Sequence, residues 1–403
     1  MTTVAIISEY NPFHLGHAYQ ISRIREEYGS DACIIALMSG NFVQRGTPAI
    51  FDKYTRAKAA LLGGANLVLE FPFPFAVSGA NYFAKHAVNI IDCLGVVDVL
   101  SFGVETNQVE QMQQLADSIT TDAYEEKMKA HLENAEKHLG FAEIRESVLA
   151  ELCPSLPCSL YREPNNILAI EYLVALKNCG SSIVPHTVSR TVDYHAKEAL
   201  SDGTASASFI RGLLTDCDFE KAIKNVTTQA SALYQDAISN GIWVKQDFVE
   251  WGKILLSHLR LAPANSAIFE SSEELSHRIA NAAVKAKNYS DLIDFSQTAH
   301  LTKARVQRAV LHTWLGTPSS FAKASPLYTQ LLAADETGLK KLKQIHQTGH
   351  IKVLTKPADT HLLCPLGKMQ ADFCAKADSV YSLLQTSPGC GDEFFRKSPY
   401  CVR

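Results

Sequence analysis

Four short, almost wholly apolar runs recur in the first hundred residues, at 4–7, 32–37, 67–71 and 97–102. Each is too short for a buried helix. Between them lie stretches whose apolar positions fall three or four apart, over 16–27, up to Leu62 and over 81–93. Runs apolar on both faces, repeating about every 30 residues with helical stretches between, predict the buried strands of a parallel sheet with helices on both sides. Asp52 stands where an N-cap is needed, and Gly63-Gly64 ends the helix it opens. A fifth strand is expected over 182–188. Ligands of such a doubly wound sheet bind beyond the C-terminal ends of its strands.

The rhythm changes twice. Residues 109–139 are polar, charged and helical in period, and Pro154, Pro157 and Pro164 then interrupt the chain. This predicts a helical insertion over about 107–163, after which Asn165-Asn166-Ile167-Leu168-Ala169 opens a new helix. From about Phe209 onward no alternation of strand and helix survives. Residues 248–260, 273–287, 302–315 and 325–334 read as amphipathic helices, broken at Gly316-Thr317-Pro318 and at Pro357. The expected organisation is an α/β, Rossmann-like domain over 1–212 and a mainly α-helical domain over 213–403.

Composition narrows the class. The chain has 403 residues, 46% hydrophobic and 20% charged, which is ordinary for a globular protein. No apolar run approaches the roughly 18 residues that span a bilayer, so the reading is a soluble, cytoplasmic protein without a membrane partner. Ten cysteines in a chain of this length do not suggest a disulfide framework. Cys153 and Cys158 come closest to a pair, but no second pair of Cys or His at metal spacing accompanies them, so no metal site is expected. Charge is uneven. Residues 1–220 hold 16 Lys/Arg against 27 Asp/Glu, and residues 221–403 hold 22 against 15. The basic half suits a polyanion, although a solvated helical surface rich in lysine accounts for it equally well.

The candidate chemistry starts at the end of the first strand, in Ala5-Ile6-Ile7-Ser8-Glu9-Tyr10-Asn11-Pro12-Phe13-His14-Leu15-Gly16-His17. Gly16 permits close approach of backbone or ligand, and the helix behind it offers unpaired N–H groups and a positive dipole end to phosphate. His14 and His17 can donate to phosphate oxygens as charge moves onto leaving pyrophosphate, which makes them the catalytic candidates. There is no Gly-x-Gly-x-x-Gly after this strand and no Gly-x-x-x-x-Gly-Lys-Ser/Thr, which disfavours dehydrogenase-type and P-loop sites. A second loop, Met38 to Pro48, follows strand two on the same edge. Its Ser39, Asn41, Gln44 and Arg45 could hold a small acyl substrate or a polar acceptor. Otherwise it is a structured turn, followed by a solvated helix face with Lys53, Arg56 and Lys58. Gly103 closes strand four. Asn165 and Asn166 sit at a helix start, either as caps or as nucleotide contacts. Arg190 follows strand five, and Ser206, Ser208 and Arg211 form an anion-binding helix start that could close over a triphosphate.

Glu9–His17, Met38–Gly46, Phe102-Gly103, Pro164–Leu168 and Ser206–Arg211, in this order, resemble the tRNA(Met) cytidine acetate ligase family, with its nucleotidyltransferase-like HxGH fold. Thr191 and Ser208 depart from the family pattern. The resemblance implies an ATP-dependent ligase that makes acetyl-adenylate from acetate and transfers the acetyl group to the wobble cytidine of elongator tRNA(Met). It implies ATP contacts at Ile7, Ser8, Glu9, Tyr10, Asn11, Pro12, Phe13, His14, Leu15, Gly16, His17, Ala18, Tyr19 and Gln20, and at Gly103, Asn165, Asn166 and Arg190. Magnesium is expected with the ATP. Two other readings of the same residues stay open: a small-molecule adenylyltransferase, and a non-catalytic RNA-binding protein. Oligomeric state is not legible.

Overall fold

The structure is a computed structural model that describes residues 1–134, 140–189, 205–261 and 264–402. Its strands are β1 (Thr3–Ser8), β2 (Cys33–Ser39), β3 (Phe42–Val43), β4 (Thr47–Pro48), β5 (Leu67–Phe71), β6 (Val99–Val104), β7 (Val184–Ser189), β8 (Tyr328–Ala334), β9 (Lys352–Leu354) and β10 (Tyr400–Cys401). The helices of the first half are α1 (Leu15–Tyr28), α2 (Lys53–Leu62), α3 (Ala80–Cys93), α4 (Val109–Ile119), α5 (Asp122–Asn134), α6 (Phe141–Leu152), α7 (Pro164–Asn178) and α8 (Ala207–Thr215). Those of the second half are α9 (Phe219–Ile223), α10 (Thr228–Ser239), α11 (Val249–Leu261), α12 (Glu273–Lys285), α13 (Tyr289–Ser296), α14 (Lys303–Leu315), α15 (Glu336–Thr348), α16 (Pro365–Leu384) and α17 (Glu393–Arg396). None is long and apolar enough to cross a membrane among the described residues.

The main sheet runs in the order β10-β8-β5-β2-β1-β6-β7, with β9 also on β8. The five strands β5-β2-β1-β6-β7 are mutually parallel. Period-2 alternation sorts their side chains. Ala5, Cys33, Ile35, Leu37, Leu67 and Leu69 face the layer that holds α3, α7 and α15. Val4, Ile6, Ile34, Ala36, Met38 and Val68 face the layer that holds α1, α2 and α10. Both faces are covered, which is why these strands read as unbroken apolar runs. A third core, built by α11–α14 and α16, gives the C-terminal helices their own interior and reaches the sheet through Phe73, Val77 and Tyr328.

One expected helix is a strand. Residues 328–334 form β8, antiparallel to β5, with Leu67 opposite Ala334 and Glu70 opposite Gln330. Every residue of β8 is buried. A short run buried on both faces carries no period, and Leu331, Leu332, Ala333 and Ala334 have good helix propensity, so sequence cannot separate the two states. The pairing decides it: β8 covers the open edge of β5, and the Thr329 hydroxyl donates to the Glu70 carbonyl oxygen at 2.7 Å. A division at 212/213 therefore cuts through the sheet, because β8, β9 and β10 return to it from the second half.

Candidate active site

The C-terminal ends of the parallel strands open into a cleft of about 1870 Å³ that extends between the α5–α6 insertion and α14. Its floor is the loop from β1 to α1. His14 is the N-cap of α1, with extended backbone (φ −141°, ψ 178°). Its Nδ1 accepts from the Gly16 N–H at 3.0 Å, and the His14 N–H donates in turn to Nδ1 of His17 at 3.2 Å. A ring nitrogen that accepts holds no proton, so each neutral imidazole carries its proton on Nε2. The rings stack with centroids 3.8 Å apart and planes 29° apart, at the positive end of α1. Gly16 is required by this fold of the ring: a Cβ there would lie 2.9 Å from Cε1 of His14.

The loop is braced from below and from the second half. Arg56, fully buried, donates from Nε to the Phe51 carbonyl at 2.9 Å, from one terminal nitrogen to the carbonyls of Glu9 at 2.6 Å and Ser39 at 3.1 Å, and from the other to the carbonyl of Gly40. One guanidinium thus ties the histidine loop to the loop after β2. Burial lowers its pKa from the ordinary arginine value, against the pull of nearby acidic groups. The Tyr234 hydroxyl on α10 accepts from the Phe13 N–H at 2.9 Å and donates to the Phe13 carbonyl at 3.2 Å, and its ring stacks on Phe51. The Leu15 N–H donates to the Asn225 carbonyl at 3.1 Å.

Ile7, Ser8, Glu9, Tyr10, Asn11, His14, Gly16, His17, Tyr19, Gln20, Gly103 and Asn165 line the cleft, with Gln44, Arg45, Ser206, Ser208 and Arg211. The Glu105 carboxylate caps α7, accepting from the N–H groups of Asn165 at 3.1 Å and Asn166 at 2.9 Å. Ser206 caps α8, and Arg211 donates to the Asn11 carbonyl at 2.7 Å and to Ser208 Oγ at 3.1 Å, which brings α8 onto the histidine loop. Gly46, at φ +79°, packs against the α14 backbone, where a Cβ would lie 2.5 Å from the Arg308 nitrogen. That contact lays the Gln44-Arg45 turn against α14.

Other expected contacts are not on the cleft wall. Pro12, Phe13 and Asn166 are buried, and Leu15 and Ala18 are not among the residues that line the cleft. Asn166 Oδ1 accepts from the Glu105 N–H at 3.1 Å, a role in the fold. Ser39 is fully buried, and Asn41 uses its amide inside the protein, donating to Asp378 at 2.8 Å and accepting from the Lys53 N–H at 2.7 Å. Neither is placed to meet an acyl group. Arg190, with Thr191, lies outside the described residues.

A profile described as HIGH nucleotidyl transferase matches residues 1–392. The tRNA(Met) cytidine acetate ligase of Acetivibrio thermocellus is 32% identical, over 98% of both chains. The chain belongs to the tRNA(Met) cytidine acetate ligase family. The ligase of that name from Clostridium botulinum (strain Okra) is 30% identical, over 100% of this chain and 99% of the relative. The crystal structure of Thermotoga maritima TmcAL bound with alpha-thio ATP superposes with a TM-score of 0.90 at 28% identity, over 100% of both chains.

Within this family member, sequence reasoning missed several residues that hold the site. Lys53 and Arg56 are buried, not on a solvated helix face. Lys53 Nζ pairs with Glu70 at 2.7 Å and Asp378 at 2.7 Å, joining α2, β5 and α16. Burial works against the Lys53 charge, but the two carboxylates prevail and hold its pKa well above the ordinary value. Burial raises that of Glu70 to about 6. Arg308 and Glu270, both on the cleft wall, pair at 2.9 Å, and Glu270 also accepts from the Gly79 N–H at 2.9 Å, at the start of α3. No local motif marks these residues, because each partner lies far away in sequence. Glu105 alone had a signal: an acidic residue at a strand end facing an Asn-Asn helix start.

Proposed function

We propose that this protein activates acetate with ATP and transfers the acetyl group to the wobble cytidine of elongator tRNA(Met); its relatives carry the name tRNA(Met) cytidine acetate ligase. The observation that carries the adenylation step is the stacked His14–His17 pair, with its protons on Nε2 at the N-terminus of α1. ATP binds with its phosphates over that helix end, and a magnesium ion carried with it would neutralise part of their charge. An acetate oxygen attacks the α-phosphorus, the bond to the bridging oxygen breaks, and pyrophosphate leaves. The two Nε2–H groups and the α1 dipole stabilise the charge that develops on it. Arg211, with Ser206 and Ser208, approaches from α8 as a second phosphate clamp. Asn165 and Gly103 border the region for the nucleoside. The cytidine N4 amine then attacks the acetyl carbon, AMP departs with its oxygen, and the amine loses a proton.

Transfer requires the cytidine to leave the anticodon stack and enter the cleft. Arg45, Lys85 and Arg305 on the cleft wall, with the net positive second half, supply attraction for RNA phosphates. The test is ATP–pyrophosphate exchange, with and without acetate, followed by acetyl transfer to tRNA. Exchange that depends on acetate, and acetylated tRNA(Met) as product, support the reading. Exchange that depends instead on a phosphorylated metabolite identifies an adenylyltransferase and refutes it.

A further inference from the structure

His86 on α3 is 2% exposed, and neither of its ring nitrogens has a hydrogen-bond partner. Buried imidazoles are ordinarily bonded, and an orphaned one is costly. The residue also lines the same cleft as His14 and His17. Phe75 meets its ring edge-on at 4.9 Å. The Tyr82 ring, 36% exposed, lies over it at 6.1 Å between centroids with planes 28° apart. Tyr82 is a surface side chain on the cleft side of the imidazole, and rotations of such side chains are fast. Lys85 and Asn89 project from the same face of the helix, three and seven residues after Tyr82, and both border the cleft.

We propose that this face of α3 is a nucleobase subsite for the RNA substrate, with Tyr82 stacking on the base, His86 and Asn89 bonding its edge and Lys85 meeting a flanking phosphate. The chemistry is complementary. A neutral imidazole offers one donor and one acceptor, an amide offers both, and a tyrosine ring stacks on any base. Burial lowers the His86 pKa to about 4, so the ring is neutral in the working range of most enzymes. RNA is favoured over the base of ATP by position: α3 follows β5, which β2 separates from β1, whereas the adenylation loops follow β1 and β6. The proposal rests on the reading that RNA is the second substrate.

The test compares the whole protein with its His86→Leu and Tyr82→Ala variants in three measurements: acetate-dependent ATP–pyrophosphate exchange, the KM for tRNA in acetyl transfer, and thermal melting. Expected are exchange within about twofold of wild type, a tRNA KM raised about tenfold in each variant, and a His86→Leu melting temperature at or above wild type. An imidazole that serves only the fold predicts an unchanged KM in both variants, and that result overturns the proposal. A raised KM for ATP with the tRNA KM unchanged overturns it too, by assigning the subsite to the nucleotide. Tyr82 is at the surface, so its variant decides the question if His86→Leu fails to fold. If wild type acetylates no RNA, the functional reading falls; if it does and both variants match it, only the subsite falls.

Discussion

At the residue scale, the pair His14 and His17 is defined by who accepts from whom. Each Nδ1 accepts from a backbone N–H, so the proton of each neutral ring is on Nε2. His14→Ala or His17→Ala is expected to lower acetate-dependent pyrophosphate exchange by about 10²–10³-fold, the usual effect of removing one positioned charge-stabilising donor. tRNA affinity, measured by filter binding, should stay within about twofold of wild type if the basic wall supplies it. His312 gives a pH prediction. It is fully buried, its Nε2 donates to the Val77 carbonyl at 2.7 Å and its Nδ1 accepts from the Thr317 hydroxyl at 3.1 Å, and burial lowers its pKa from 6.5 to about 4. His86 is depressed in the same way. Between pH 6.5 and 4 the unfolded chain binds these protons and the folded one does not, so stability falls as pH falls. At pH 5 each imidazole contributes a loss on the order of 2 kcal/mol relative to neutral pH. Melting temperatures at pH 7 and pH 5 should therefore diverge, and His86→Leu should shrink that gap. An unchanged gap in the variant refutes the assignment.

At the scale of elements, Arg56 is the joint between two loops. Its three nitrogens serve four carbonyls from residues 9, 39, 40 and 51. Removing it leaves those carbonyls buried without donors. Arg56→Ala is expected to cost about 3–5 kcal/mol in denaturant unfolding. Arg56→Lys should recover little of this, because an ammonium is a point charge and cannot span the fork. Recovery to wild-type stability by lysine would show that charge, not the fork, is what matters. None of this is visible locally. Asp52 to Leu62 reads as a helix with basic residues on one side, and only the approach of the loops from β1 and β2 turns that side inward. Glu9–His17, by contrast, is legible as a strand end, glycine and helix start because its parts are contiguous, and the structure lays it along the cleft.

At the scale of the molecule, the first half is not self-sufficient. β8 covers the edge of β5, α15 covers part of one face, and Tyr234 and Asn225 hold the histidine loop. A fragment of residues 1–212 is expected to lack a cooperative thermal transition, since it exposes a sheet edge and an uncovered apolar face. A sharp melt of that fragment by circular dichroism would show that the first half closes its core alone.

The sequence by itself determined the parallel strands, their helical connections and the loop that leads from β1 into α1. These depend on patterns within about 30 residues: unbroken apolar runs, caps, and a His-x-Gly-His at a strand end. Tertiary structure alone decided that residues 328–334 are a strand, that Lys53 and Arg56 are interior, that Asn41 serves the fold, and that α14 and α3 complete the cleft. Each of these is a contact between residues tens to hundreds of positions apart, such as Asn41 with Asp378 or Thr329 with Glu70. Side-chain chemistry is local, but burial and partnership are set by whichever distant segment arrives, and a single chain read in order carries no signal of that arrival.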